Sequence, residues 1–254
     1  MPTSYAIISD IHGNAHALSA VMEDIDKQNV DQILCLGDIV GYGANPCECI
    51  EQVKSTCQEC ILGNHDHAIF HEPLAFNETA QLSIEWTRRA LGQCTSVEMS
   101  VTDMLHFLEI LPEQKIVDGL RLVHGSPRSP TFEYILPWDV EVRPSEKILA
   151  VFDIIDEPCF IGHSHLPGVF TDAWEFFRPE ELSDSRYDLN GRKAVINVGS
   201  VGQPRDGDPR ACYATVRDGV IEFHRVHYKV KQAMKAILRA GLPEKNALRL
   251  KHGK

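Results

Sequence analysis

Aspartate, histidine and asparagine recur in five short segments, each closing an apolar run. They are Asp10-Ile11-His12, Gly37-Asp38, Gly63-Asn64-His65-Asp66, His124-Gly125 and Gly162-His163-Ser164-His165. Carboxylate, imidazole and amide oxygen together form a ligand set for divalent manganese, iron or zinc. Asp10 and His12 flank one residue, and in extended chain side chains at i and i+2 point the same way, so both reach one ion. His163 and His165 repeat that spacing. Asp38 follows Gly37, a residue that admits close backbone approach, and its two oxygens suit it to bridge two ions. In the Gly63 segment three polar types stand in succession and diverge. Asn64 is expected to bind metal through its carbonyl oxygen, His65 to enter the crevice, and Asp66 to orient the His65 ring. Any one segment is compatible with a helix cap, a turn or a structural histidine. Together they point to a two-metal hydrolase.

The segments meet only if the runs before them are neighbouring strands whose carboxyl ends open on one crevice. YAIIS, QILCL, CIL, LRLV and CFI all read as such strands. The first 65 residues alternate β-α-β-α-β, with helices at 14–27 and 47–56, the second entered through Asn45-Pro46. That alternation predicts a parallel sheet with right-handed crossovers. Further helices are predicted at 78–91, 97–111, 144–155 and 230–240. Asp118-Gly119 and Asp218-Gly219 carry the turn signal of tight hairpins. KAVINVGS, ACYATVRD and GVIEFHRV are the remaining predicted strands. Residues 177–192 read as an exposed hairpin or mobile loop, and 251–254 as a frayed tail. No repeat or linker divides the chain, so residues 1–254 are expected to form one domain.

With 43% hydrophobic and 24% charged residues the composition is that of an ordinary globular protein. No apolar run reaches the ~20 residues that span a bilayer. The N-terminal residues lack a basic region and a cleavable apolar segment, so a cytoplasmic protein with no membrane partner is expected. A formal charge of −11 argues against broad nucleic-acid binding. It leaves room for an anionic substrate, because metal ions set the local charge. Oligomeric state is not encoded in any motif. Among eight cysteines, the group Cys47, Cys49, Cys57 and Cys60 has the ligand number of a structural zinc site but not the usual knuckle spacing. Helix and strand positions account for the same four residues. Disulfides are disfavoured without a secretory signal.

Taken together, the order D-x-H…GD…GNHD…H…GHSH resembles the calcineurin-like metallophosphoesterase superfamily. Gly37-Asp38-Ile-Val-Gly-Tyr-Gly43 and Asn197-Val-Gly-Ser-Val-Gly-Gln-Pro-Arg-Asp206 are similar to its bacterial phosphodiesterase branch. The resemblance implies an α/β fold of α+β type, a four-layer αββα sandwich of two mixed β-sheets flanked by helices. It implies Asp10, His12 and His165 on one metal, Asn64, His124 and His163 on the other, and Asp38 between them. His65 would be the general acid, with Asp66 its partner. The metals would be two divalent ions drawn from manganese, iron, zinc and nickel. The implied reaction is hydrolysis of phosphodiesters or phosphomonoesters, nucleotide-like small substrates favoured, by a metal-bridged hydroxide. Arg205 and Arg210 are expected to clamp a second phosphate unless they pair with Asp206 or Asp208, with Asn14 and Tyr42 as weaker lining residues. His67 is expected near the crevice, and 126–143, carrying Phe132, Tyr134 and Trp138, as a lid. The alternatives are a serine/threonine protein phosphatase and a non-catalytic interaction scaffold on the same fold. Ile39-Val40 stand where such phosphatases carry an arginine after Gly-Asp, and no scaffold-type loss of a ligand is seen.

Overall fold

A computed structural model describes residues 3–73, 76–96, 98–141 and 143–254. The chain opens with β1 (Tyr5–Ile8), α1 (Ala15–Gln28), β2 (Gln32–Cys35), α2 (Pro46–Thr56) and β3 (Glu59–Cys60). The three strands pair in parallel, as the alternation predicts. The short α3 (Asn64–His67) leads to α4 (Glu78–Leu91) and α5 (Val101–Glu109). A hairpin of β4 (Gln114–Val117) and β5 (Leu120–Val123) follows, then α6 (Glu146–Ile154) and β6 (Cys159–Ile161). Next come β7 (Gly168–Thr171), β8 (Phe176–Phe177), β9 (Arg186–Asp188) and β10 (Ala194–Asn197). The chain finishes with β11 (Ala211–Arg217), β12 (Val220–Val226), α7 (Val230–Arg239) and α8 (Glu244–His252).

Two six-stranded sheets result, in the orders β3-β2-β1-β11-β12-β9 and β4-β5-β6-β10-β7-β8. Strand alternation explains how they stack. Tyr5 and Ile7 pack between the sheets with Leu34, Leu122, Phe160 and Ile196, while Ala6 and Ile8 face α1 and α2. Val123, Cys159, Ile161 and Val195 turn the outer face of the second sheet to α6. The four-layer sandwich is therefore as expected. Fully burying an aliphatic or aromatic side chain stabilises by roughly 1.5–3 kcal/mol, and this central layer holds the sheets together.

Several boundaries differ from expectation for local reasons. Ser100 accepts the N–H of Asp103 at 3.1 Å and Ser145 that of Ile148 at 3.2 Å, so α5 and α6 start at those caps and not earlier. Val97, the expected start of the former helix, lies outside the described residues. Residues 177–192 are no simple hairpin: β9 pairs with β12 in the first sheet, and the turn at Asn190 and Gly191 carries the chain across to β10 in the second. The β7–β8 hairpin carried no recognised sequence signal. The C-terminus is not frayed: α8 packs Ala247 and Leu250 against Ala233 and Ile237 of α7, and Gly253 accepts the N–H of Gly207 at 2.8 Å.

The cysteine group holds no zinc arrangement. Cys47 is disulfide-bonded to Cys94, which corrects the expectation against disulfides, and Cys49 is buried in the core against α1. The bridge is possible because α2 and α4 pack side by side, bringing the two Cα atoms to 6.4 Å.

Candidate metal centre

Both sheets direct parallel strands at one crevice. Asp10, Asp38 and Asn64 lie just beyond β1, β2 and β3, and His124 and His163 just beyond β5 and β6. The loops interlock through backbone bonds: Asp10 N–H to Gly37 at 3.1 Å, His12 N–H to Asp38 at 2.9 Å, Gly162 N–H to His124 at 3.0 Å and Gly202 N–H to Asp10 at 2.9 Å.

The i, i+2 pairs do not have the extended geometry that the spacing argument assumed, and His163 and His165 fall in different donor groups. Asp10 and His12 do not sit in extended chain; their φ values are 54° and 51°. His163 and His165, at 64° and 60°, repeat this, as do Asp38 at 53° and Tyr42 at 56°. Left-handed backbone costs a non-glycine residue roughly 1–2 kcal/mol, and such strain concentrates where a site requires it. The turn, not the pleat, brings each pair inward. Gly63 is required for a related reason, since a Cβ there would overlap the Asp38 backbone and carboxylate.

Three donor groups share members: Asp10, His12 and His165; His12, Asp38 and His65; Asp38, His124 and His163. His165 Nε2 lies 3.1 Å from Asp10 Oδ1, and His12 Nε2 lies 3.7 Å from the same oxygen. Asp38 Oδ2 stands 3.6 Å from His12 Nε2 and 3.4 Å from His124 Nε2. Asn64 Oδ1 is 3.1 Å from His124 Nε2. Asp38 Oδ1 accepts the amide of His65 at 2.7 Å, so a bridge between the clusters runs through the single atom Oδ2.

Hydrogen bonds fix the tautomers. His12, His124 and His165 place Nδ1 at 3.2, 2.8 and 2.5 Å from the carbonyls of Val40, Leu36 and Gln203. A carbonyl only accepts, so Nδ1 carries the proton and Nε2 presents a lone pair. In His163 it is Nε2 that meets the Phe132 carbonyl, at 3.1 Å, leaving Nδ1 for the crevice. The Nε2 atoms of His12 and His165 thus oppose lone pairs at 3.1 Å, beside Asp10 Oδ1, which is buried without a hydrogen-bond partner. A cation resolves that repulsion. Ligands at about 2.0–2.2 Å from an ion stand about 3–3.5 Å from each other, so the donor set fits divalent metal.

The electrostatics agree for His12, His163 and His165, whose neutral forms burial favours, but not for His124. Burial lowers His12 and His165, takes His65 to about 4, and with the charge of His124 takes His163 to about 3. Burial also opposes charge on His124, yet Asp38 and Asp10 push it up to about 9. Against the same burial, His165 and His124 hold the Asp10 carboxyl below its ordinary value, and His124 and His65 do so for Asp38.

Three expected roles change. Asp66 does not touch the His65 ring: it accepts the amides of Ile39 at 3.0 Å, Val40 at 3.2 Å and Gly63 at 3.2 Å, bracing two site loops, while His65 Nδ1 is left without a partner. Burial and the charge of Asp38 push the Asp66 carboxyl up to about 7. Asn14 is occupied on both sides, capping α1 through Ala17 at 3.1 Å and donating to Gly202 at 2.9 Å, so it is a brace and not a substrate ligand. Arg210 pairs with Asp208 at 2.5 Å, turning away from any clamp. Arg205 keeps its crevice position, bonded to neutral Gln203 at 2.9 Å and 5.9 Å from the Tyr42 ring centroid.

Tyr42 packs 4.5 Å from His65 and 4.9 Å from His12, and Tyr134 stacks on His163 at 3.7 Å. His67 stacks on His71 and meets Phe132 edge-on. Arg88 reaches from α4 to the carbonyls of Ala68 and Ile69, fixing the end of α3. Asn197 holds Gly162 and Ser164, and Ser200 holds the Asp10 carbonyl. These supports went unread because nothing local marks them; only a polar residue ending the apolar run AVIN hinted at Asn197.

Two stacked mixed sheets with this crevice define a metal-dependent hydrolase architecture. The chain belongs to the calcineurin-like phosphoesterase superfamily, whose domain description matches residues 4–219. It is 35% identical to an uncharacterized protein of Methanocaldococcus jannaschii over 249 residues, 94% of this chain and 93% of that one. A metallophosphoesterase crystal structure from Sphaerobacter thermophilus shares 36% identity and superposes with a TM-score of 0.83 over 99% of each chain. A shorter match, 40% over 63 residues, links 24% of the chain to 23% of a symmetrical bis(5'-nucleosyl)-tetraphosphatase of Psychromonas ingrahamii.

Proposed function

We propose that the protein hydrolyses small phosphodiesters or phosphomonoesters, nucleotide-like ones favoured, with two divalent ions. Asp10, His12 and His165 would hold one ion and Asn64, His124 and His163 the other, with Asp38 Oδ2 between them. The observation that carries this reading is the lone-pair confrontation of His12 and His165 beside the unpartnered Asp10 oxygen. Bound there, the ions would supply Lewis acidity toward phosphoryl oxygens and would lower the pKa of a bound water toward ~7.

The chain's own residues do the rest. His65 is anchored through its amide to Asp38, and its ring is held by Tyr42 and Phe76. It is neutral at pH 7 with its low pKa, and an anionic phosphate beside it favours the protonated form. That proton then passes to the departing oxygen, help worth about 10²–10⁴ in rate. Arg205 neutralises developing charge, and Tyr42 and Tyr134 displace water from the ligands. A neighbouring groove of about 490 Å³, lined by Arg205, Trp138, Leu166 and Phe176, offers room for a second substituent. The local similarity to a symmetrical bis(5'-nucleosyl)-tetraphosphatase supports a nucleotide-like substrate. The protein-phosphatase alternative gains nothing here, since Ile39 and Val40 are fully buried where an arginine would grip phosphate. The same reading takes the chain as one domain acting in the cytoplasm; its six free thiols agree with that, and the Cys47–Cys94 disulfide runs against it.

The test is turnover of bis-p-nitrophenyl phosphate against p-nitrophenyl phosphate by manganese-loaded protein, with Asp38→Ala as control. Turnover that disappears in the variant is the expected result. Inactivity on both with metal bound would reject a general esterase in favour of a narrow natural substrate or a scaffold.

A further inference from the structure

Trp138 is 60% exposed, an open position for so large an aromatic surface, yet the turn that carries it, Pro137–Asp139, is firmly tied. The buried Asp139 carboxylate accepts the amide of Leu136 at 2.9 Å and the hydroxyl of Ser145 at 3.3 Å, and its carbonyl accepts the Ser145 amide at 2.8 Å. Lys147, on α6, pairs with the same carboxylate at 2.6 Å and donates to the Tyr134 carbonyl at 2.7 Å. The backbone on both sides of Trp138 is therefore fixed while its indole is left open. Neighbouring rings are already engaged: Tyr134 stacks on His163 at 3.7 Å, Phe176 lies 4.5 Å from Phe170, and Trp174 lies 5.5 Å from Phe152. Among the described residues no ring pairs with Trp138 in this way.

The indole lines the groove of about 490 Å³ that starts at the metal centre. Leu166 and Pro167, in the same wall, directly follow His165, and the Arg205 amide donates to the His165 carbonyl at 3.4 Å. A second lobe of about 310 Å³ shares Pro137, Glu141, Phe176 and Arg178 with the first, so the two form one channel leading away from the crevice. Each lobe falls in the size range of small-molecule sites, roughly 300–1,000 Å³. Trp138, Leu166 and Pro167 offer a surface on which a ring can lie, and Arg205 supplies a cation at the metal end. Glu141 and Arg178, in the shared stretch, present an acceptor and a donor to a polar ring edge. A flat heterocycle tethered to a phosphate matches that order of surfaces. An aliphatic substituent would cover the indole but make no use of Glu141 and Arg178.

We propose that this groove is a nucleobase subsite in which the indole of Trp138 stacks on the purine or pyrimidine of a nucleoside phosphodiester. Trp138 is then the residue that selects nucleotide esters over simple alkyl esters. This rests on the phosphoesterase reading above and adds to it the place of the base and the residue that holds it. The base takes no part in the bond changes. Water forms the new bond to phosphorus, the P–O bond to the leaving group breaks, and the departing oxygen keeps the electron pair and gains a proton. Every base has a face that stacks, so the groove selects nucleotides as a class, by about tenfold or more in binding.

The experiment compares two diesters with one leaving group, the p-nitrophenyl ester of AMP and methyl p-nitrophenyl phosphate, on manganese-loaded wild type, Trp138→Ala and Trp138→Phe. Trp138→Ala should lower kcat/KM for the AMP ester at least about tenfold more than for the methyl ester, mainly through KM. Trp138→Phe should recover most of that difference, because it restores an aromatic face. Equal losses on both substrates, or no loss on either, would overturn the subsite, and turnover of the methyl ester in the same assay would leave the esterase reading intact. Where wild type turns over neither ester, calorimetric titration of the manganese-loaded protein with AMP and with ribose 5-phosphate decides. AMP should bind wild type at least about tenfold more tightly than ribose 5-phosphate, and Trp138→Ala should lose that preference. Equal affinities in wild type, no binding of either, or a preference that persists in Trp138→Ala would refute the proposal.

Discussion

The metal crevice and the α7–α8 pair meet at Tyr42, yet they are built by different means. The crevice is a set of strand-end turns locked by backbone hydrogen bonds, with left-handed residues at Asp10, His12, Asp38, Tyr42, His163 and His165. The α7–α8 pair is held by side-chain packing of Ala233, Ile237, Leu242, Ala247 and Leu250. It reaches the crevice through the polar residue Asn246, whose amide donates to the Tyr42 carbonyl at 3.1 Å and to Ser83 Oγ at 2.9 Å. In the first region a ligand cannot move without its loop. In the second, helix-face residues can change with little disturbance to what lies below.

Substitutions that separate the two regions break or sharpen this contrast. Asp38→Ala should have the largest effect. It removes the one oxygen shared by the two clusters, so metal content measured on purified protein should fall and turnover drop to background. His65→Gln comes next: a rate loss of about 10²–10⁴ on substrates with poor leaving groups, with metal content kept. An unchanged rate on such a substrate would remove the proton-donor role.

Cys94→Ser opens the covalent link between the start of α2 and the segment after α4. It should cost about 2–4 kcal/mol in urea denaturation, with monoester turnover at 25 °C little altered. A large activity loss would show that the crevice depends on that clasp. Asn246→Ala should have the smallest effect, about 1–3 kcal/mol from two lost buried hydrogen bonds. Its thermal melt should shift down while metal content stays whole; loss of metal would show that the two regions are not separable.

The same contrast explains what the sequence disclosed. Asp10, His12, Asp38, Asn64, His65, His124, His163 and His165 were legible because each ends an apolar run, and parallel strands have to bring such ends together. Their turn geometry was not legible, since i, i+2 spacing fits a pleat and a left-handed turn equally. Asp66 was misassigned because adjacency to His65 suggested a ring contact, whereas three backbone amides claimed its oxygens. Asn246 was missed altogether. On a helix face of ordinary polar composition it carries no local mark, and only docking against Tyr42 gives it meaning. Asn14 and Arg210 erred the other way: both looked available, and local partners had already taken them.

The hydroxyl of Ser200 grips the carbonyl of Asp10 across 190 positions of chain, and His165 leans on Gln203. Contacts of such sequence separation form late in folding, after much loop entropy has been lost. A chain emerging from synthesis therefore carries its first metal motif long before it can assemble the crevice. Ions that favour the finished crevice over the open chain draw the equilibrium toward the native state. On the two-ion reading, metal content would then report completed folding, and a truncated chain would hold none.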